Sequence, residues 1–276
     1  MTYIINKGFS VLRLFSIAVP LIICPSVLFA QQILIHSHND YEQRVPFYQA
    51  YAQQAASIEA DIYATNKKDE LLVTHNKEDL ATALTLDELY IKPIVDLYKN
   101  NNGKAWKNSE KTFILLIDLK TPAIPTLDIL VDKLKVYPEV FDPSANPYAV
   151  RIVISGDRPA PVDFAKYPPF ISFDGREMNY TAEQLKRIAM VSLPFKDYSQ
   201  WNGQGTMIKE EYDKVIKTID AVHALNKPIR FWGTPDGDNA WKTFHHIGVD
   251  YINTDRVEAC TDYFYHFDNK KTLLEL

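Results

Sequence analysis

Ser57-Ile58-Glu59-Ala60-Asp61-Ile62-Tyr63 alternates apolar and polar side chains with a period of two. As a strand it puts Glu59 and Asp61 on one face and Ile58, Ala60 and Ile62 on the other. An apolar face suits packing against helices, while a strand that ends in acids suits the carboxyl end of a parallel barrel, where such folds carry their chemistry.

Working outward, seven further short apolar runs recur along the chain, at 33–36, 112–119, 150–155, 170–173, 190–193, 229–232 and 251–254. Most are rich in Ile, Val and Phe and bounded by Pro, Gly, Asp or Asn, as buried parallel strands are. A ninth run at 71–74 reads as an insertion after the second strand. Between the runs lie helical patterns. The clearest spans 207–226, where Ile208, Tyr212, Val215, Ile219, Val222 and Leu225 share a face until Lys227-Pro228 stops it. Residues 86–100 and 125–137 read alike, and Thr181 is placed to cap a helix from Ala182. Eight strands alternating with helices predict an α/β fold, a single TIM-type (β/α)8 barrel. The 276 residues fit one such barrel of roughly 250 residues. No linker, low-complexity stretch or repeat suggests a second domain.

The first thirty residues read differently. Lys7 and Arg13 are their only charges, and an apolar stretch broken by Pro20 and Pro25 runs to Ala30. This is the pattern of a secretory signal peptide over 1–30, with the catalytic barrel at 31–276. It predicts export, to the periplasm or the medium in a bacterium. Lipid anchoring at Cys24 is not expected, because Ile23 is bulky where a lipobox has a small residue. Cys260 is the one other cysteine, so the mature chain has neither an internal disulfide nor a zinc-thiolate site. A net charge of −5 with no basic block argues against nucleic acid as a partner.

The strand ends collect the chemistry-bearing residues. The first strand runs into His36-Ser37-His38-Asn39-Asp40-Tyr41, the insertion ends at His75, and the third strand ends Asp118-Leu119-Lys120. Asp118 and Lys120 repeat the spacing of Glu59 and Asp61. Three carboxylates brought together repel unless a cation joins them, and an oxygen-only ligand set suits Ca²⁺ or Mg²⁺. The alternative is that the acids are paired inside the barrel with Lys120 or Arg151. His38 and His75 beside such a cluster suit acid–base work, since imidazole exchanges protons near neutral pH; a lone strand-end histidine is also an ordinary structural residue. Asp174 and Trp232, at the ends of the fifth and seventh barrel strands, are placed to line a pocket or simply to end their strands. Asp255 caps the eighth strand or the helix after it.

The ordered set of His38 through Pro46, Glu59-Ala60-Asp61, His75, Ile117-Asp118-Leu119-Lys120 and Gly248 through Asp255 resembles the glycerophosphodiester phosphodiesterase and phosphatidylinositol phospholipase C-like superfamily. The His-Ser-His-Asn-Asp-Tyr opening is closest to its branch named for altered inheritance of mitochondria protein six. The resemblance implies a phosphoric diester hydrolase with His38 and His75 as catalytic residues. It also implies one divalent cation, Ca²⁺ or Mg²⁺, on Glu59, Asp61 and Asp118, and a phosphate contact from Lys120. Asn39-Asp40 stand where glycerophosphodiesterases usually have Arg-Gly, so a bidentate phosphate contact is lost, and Asn39 is the candidate to replace it. The implied substrate is a glycerophosphodiester, phosphoinositide or related lipid-derived diester, with at most peripheral membrane contact and no obligate protein partner. Two rivals stand beside this. His36-Ser37-His38 matches the metal pair of amidohydrolase-like barrels, although the fifth and sixth barrel strands lack the further histidines such sites need. A non-catalytic barrel that binds lipid head groups or glycans is the other.

Overall fold

The computed structural model describes Met1 and residues 33–274; the expected signal peptide over 1–30 lies outside the described residues. By its contacts the chain divides into Met1–Gln32 and Ile33–Leu276, and the described strands and helices all lie in the second unit.

Nine strands form in chain order: β1 (Leu34–Ser37), β2 (Ser57–Ala64), β3 (Leu71–Val73), β4 (Ile114–Leu119), β5 (Arg151–Gly156), β6 (Ile171–Gly175), β7 (Ile188–Pro194), β8 (Ile229–Trp232) and β9 (Tyr251–Thr254). Eight of them pair in parallel, and pairing of β1 with both β2 and β9 closes the sheet into the expected barrel. The insertion β3 is antiparallel and hangs on β2 through Ile62, Tyr63 and Ala64. Each predicted strand is present within two residues of its expected ends. The long helix spans Lys209–Ala224, and Thr181 forms a capping box with Gln184. Among the described residues no helix is long and apolar enough to cross a membrane.

The alternation in β2 sorts side chains as the sequence predicts. Ile58, Ala60 and Ile62 are buried in the outer core, with Leu115, Ile117 and Ile154 from neighbouring strands and Leu127, Leu130 and Val215 from helices. A smaller apolar cluster of Ile114, Leu116, Val153, Met190 and Tyr251 is separate from it. These are inward positions near the amino ends of the strands, and they plug that end of the barrel. Two residues further along the same strands the inward positions become polar: Asp118, Ser155, Ser192 and Asn253. The barrel therefore changes from an apolar floor to a charged mouth along its axis.

Register then decides which charges meet. Asp61 is the direct partner of Asp118 in the β2–β4 ladder, and Ser155 follows on β5. Gly156 closes β5 at φ 68°, and a Cβ there would collide with the Leu119 backbone and Asp118 Oδ1. Glycine is required here because it tolerates the left-handed backbone and leaves room for the acid.

Candidate active site

Glu59, Asp61 and Asp118 each offer a carboxylate oxygen, and these oxygens lie within 4.8 Å of one another. Cations hold the acids in place. Lys120 Nζ is 2.9 Å from both Asp61 Oδ2 and Asp118 Oδ1. Arg230 Nη1 donates to Glu59 Oε2 at 2.8 Å. Of the two cations expected as partners, Lys120 is correct and Arg151 is not. Arg151 begins β5 at the opposite end of the barrel and is exposed, whereas Arg230 lies inward on β8 and is 4% exposed.

Arg230 is the site residue most clearly missed in the sequence. It also donates from Nε to Ser192 Oγ at 3.0 Å and packs its Nη1 against the His36 ring and Asn253. His36 is fully buried, with Nδ1 2.8 Å from Ser57 Oγ and Nε2 2.6 Å from Glu59 Oε2. Burial first, and then the charge of Arg230, push its pKa down to about 3. Burial alone would raise Glu59, but Arg230 and the His36 hydrogen bond outweigh it and hold the carboxyl well below its usual range. For Asp61, burial and the neighbouring charge of Glu59 win over Lys120, and its pKa is raised. The barrel thus separates two acids that share one strand face.

Asp61 is the hub. Its Oδ2 has Tyr41 Oη at 2.8 Å, His75 Nδ1 at 2.9 Å and Lys120 Nζ at 2.9 Å, while the buried Oδ1 has no hydrogen-bond partner. Tyr41 Oη is also 3.0 Å from Asn39 Oδ1, which links Asn39 to the centre. His75 is half exposed, and Tyr63 Oη donates to its carbonyl at 3.0 Å.

His38 is built in the same way from the other side. Its Nδ1 is 2.6 Å from Asp255 Oδ1, a contact spanning 217 residues that forms because β1 and β9 are neighbours. Burial lowers the His38 imidazole, but the hydrogen bond to Asp255 and the charges of Glu59 and Asp255 outweigh it, so its pKa is raised. Asp255 is therefore a histidine partner as well as the residue that ends the strand. Its backbone is held by Asp236, whose carboxylate accepts from Asp255 N at 2.9 Å, Thr254 Oγ1 at 2.7 Å and Trp241 Nε1 at 2.7 Å. Asp255→Asn should lower the His38 pKa, since the imidazolium loses its anionic partner. Titrating the His38 ring proton by NMR in the metal-free protein measures this, and an unmoved midpoint would refute the pairing.

The two expected pocket residues are placed differently. Asp174 is 1% exposed, bonded to Ser155 and 4.0 Å from Arg230 Nη2, so it belongs to the buried polar layer and not to the open mouth. Trp232 lies at the end of β8, 46% exposed. Both ring nitrogens of His36 are engaged, by Ser57 and Glu59. Among the described residues the grouped candidate ligands are the three carboxylates, with neither His36 nor His38 among them.

Three acids on adjacent barrel strands thus lie together, flanked by two histidines that each contact a carboxylate. Residues 29–142 match the AIM6-like phosphodiesterase domain. That stretch contains His38, Glu59, Asp61, His75, Asp118 and Lys120. A second family model, for the glycerophosphoryl diester phosphodiesterase family, matches residues 228–258, which bring in Arg230, Asp236 and Asp255. The chain is 28% identical over 269 residues to altered inheritance of mitochondria protein 6 of Eremothecium gossypii, covering 83% of this chain and 69% of that protein. It is 26% identical over 265 residues to the homolog from Arthroderma benhamiae, covering 84% of each. A glycerophosphodiester phosphodiesterase from Parabacteroides distasonis shares the fold, with a TM-score of 0.51 at 14% identity, over 86% of this chain and 98% of that one. The family resemblance carried by the motifs is borne out. The export expected from the leader is corrected: the relatives are fungal proteins named for mitochondrial inheritance, which gives no support to a bacterial periplasmic or secreted location.

Proposed function

We propose that the chain is a metal-dependent phosphoric diester hydrolase in which His38 and His75 exchange protons across the Glu59, Asp61 and Asp118 centre. The observation that carries this is the gathering of three carboxylates whose oxygens lie within 4.8 Å of one another, with a histidine on either side. Lys120 and Arg230 offset part of their charge. A divalent cation would offset more of it and leave the mouth better suited to an anionic phosphodiester.

The residues fit such an ion. The donors are all oxygens, their spacing suits one centre, and the unpartnered, buried Asp61 Oδ1 is the kind of atom a cation satisfies. When bound, the ion supplies Lewis-acid stabilisation of the charge on the phosphoryl oxygens. Ca²⁺ and Mg²⁺ both suit the donor set.

The rest is done by the chain. Lys120 and Asn39 orient the phosphate at the mouth. Asp255 and Asp61 each hold one Nδ1, which fixes the ring direction and leaves the Nε2 of both histidines for the reaction. One histidine accepts the proton of the nucleophile as its oxygen bonds to phosphorus. The other gives a proton to the departing oxygen as that P–O bond breaks. With water as nucleophile the products are an alcohol and a phosphomonoester; with a neighbouring substrate hydroxyl they are an alcohol and a cyclic diester. The substrate classes supported by the resemblance are glycerophosphodiesters, phosphoinositides and related lipid-derived diesters.

A chelator should abolish cleavage of bis(4-nitrophenyl) phosphate, and Ca²⁺ or Mg²⁺ should restore it. Asp118→Asn should raise the cation concentration for half-maximal turnover by about tenfold or more, since it removes one of three charged ligands. Turnover that ignores both the chelator and the substitution would overturn the proposed centre.

A further inference from the structure

We infer that a cavity beside His75 seats one of the two alcohol groups of the substrate, and that Glu42 and Asp79 make it select alcohols without negative charge. The inference rests on the phosphodiesterase reading above. The cavity has a volume of about 310 Å³ and lies between the loop after β1 and the β3 insertion. Tyr41 and His75, which both contact Asp61 Oδ2, are part of its wall. It therefore opens one side chain away from the reaction centre. This volume is at the small end for ligand sites, which suits one moiety of a substrate and not a whole lipid.

Its chemistry is one-sided. Pro46, Val73, Ala83, Leu84 and Leu89 supply an apolar wall, and Leu84 is 52% exposed toward solvent. Glu42 and Asp79 are exposed carboxylates in its lining, from the 3-10 turns Asp40–Glu42 and Lys77–Ala81. No lysine or arginine among the described residues lines it. An anionic group placed there meets two like charges and an apolar surface that cannot solvate it. It also lacks the guanidinium or ammonium partners with which proteins bind phosphate and carboxylate. An uncharged or cationic alcohol meets neither penalty.

Symmetrical substrates test this, because the two aryl groups are identical and whichever one occupies the cavity carries the same charge. The readout is kcat/KM for bis(3-carboxy-4-nitrophenyl) phosphate relative to bis(4-nitrophenyl) phosphate at low ionic strength, compared between proteins so that intrinsic reactivity cancels. Glu42→Gln combined with Asp79→Asn should raise this ratio by about three- to tenfold, with less effect as salt is added. Leu84→Lys, which adds a cation to the rim, should raise it independently. A ratio unmoved in both variants, while both substrates are cleaved, would overturn the selectivity and leave the phosphodiesterase reading standing. Cleavage of neither substrate with any divalent cation would overturn that reading and the inference together.

Discussion

His38→Ala and His75→Ala should each lower kcat/KM for bis(4-nitrophenyl) phosphate by about 10²- to 10⁴-fold, the usual worth of a positioned acid or base. Both rings stand at the mouth of the barrel, with side-chain exposures of 27% and 50%, so their loss should leave the thermal midpoint within a few degrees of wild type. His75→Ala removes one of three groups around Asp61 Oδ2 and leaves Tyr41 and Lys120 in place. Combining the two substitutions should cost much less than the product of the single effects, because one proton-transfer system is being removed. A single variant that folds and keeps most of its activity would overturn the acid–base assignment.

Arg230→Met should destabilise the fold by about 3–5 kcal/mol, the usual cost of removing one partner of a buried pair. Glu59 would be left nearly enclosed, at 5% exposure, with His36 as its main remaining partner. The pH dependence follows from the direction of the Glu59 shift. In the wild type its folded pKa is depressed, so its stabilising contribution is present above the unfolded pKa of about 4.3 and is lost only as pH falls through the lower folded value. Without Arg230, burial raises the pKa of Glu59, and a raised carboxyl destabilises above the unfolded value. The variant should therefore lose most stability near neutral pH, and its deficit should shrink as pH falls toward 4. Adding Glu59→Gln should recover part of the loss, since no buried charge then remains unpaired. Chemical denaturation at pH 7 and pH 4.5 reads both effects. A deficit below about 1 kcal/mol, or one that does not change with pH, would show that Arg230 does not hold Glu59 in the folded state.

The parts of the site readable in sequence are those set by local geometry. Glu59 with Asp61, and Asp118 with Lys120, share faces because strand periodicity is two, and β2 and β4 exist as read. His38 and His75 stand out as titratable residues just past strand ends, where barrels place their chemistry. Asp174 has a similar position, yet the ladder buries it under the mouth. The rule locates a strand end without giving the depth at which a side chain stops. Arg230 did carry a signal, a lone charge inside the run Ile-Arg-Phe-Trp, but nothing local names its partner.

By itself, then, the sequence determined the eight-stranded alternation, the inward faces of β2 and β4, and the acids and histidines that collect at the strand ends. All of these come from short-range periodicity and side-chain chemistry. Only the tertiary structure decided which charges meet. Arg230 reaches Glu59 across 171 residues and His38 reaches Asp255 across 217, while Asp61 faces Asp118 through the β2–β4 register. Closure of the barrel brings the first and last strands together and sets each ladder's stagger. Pairing energies between buried charges depend on those distances, which no spacing along the chain contains.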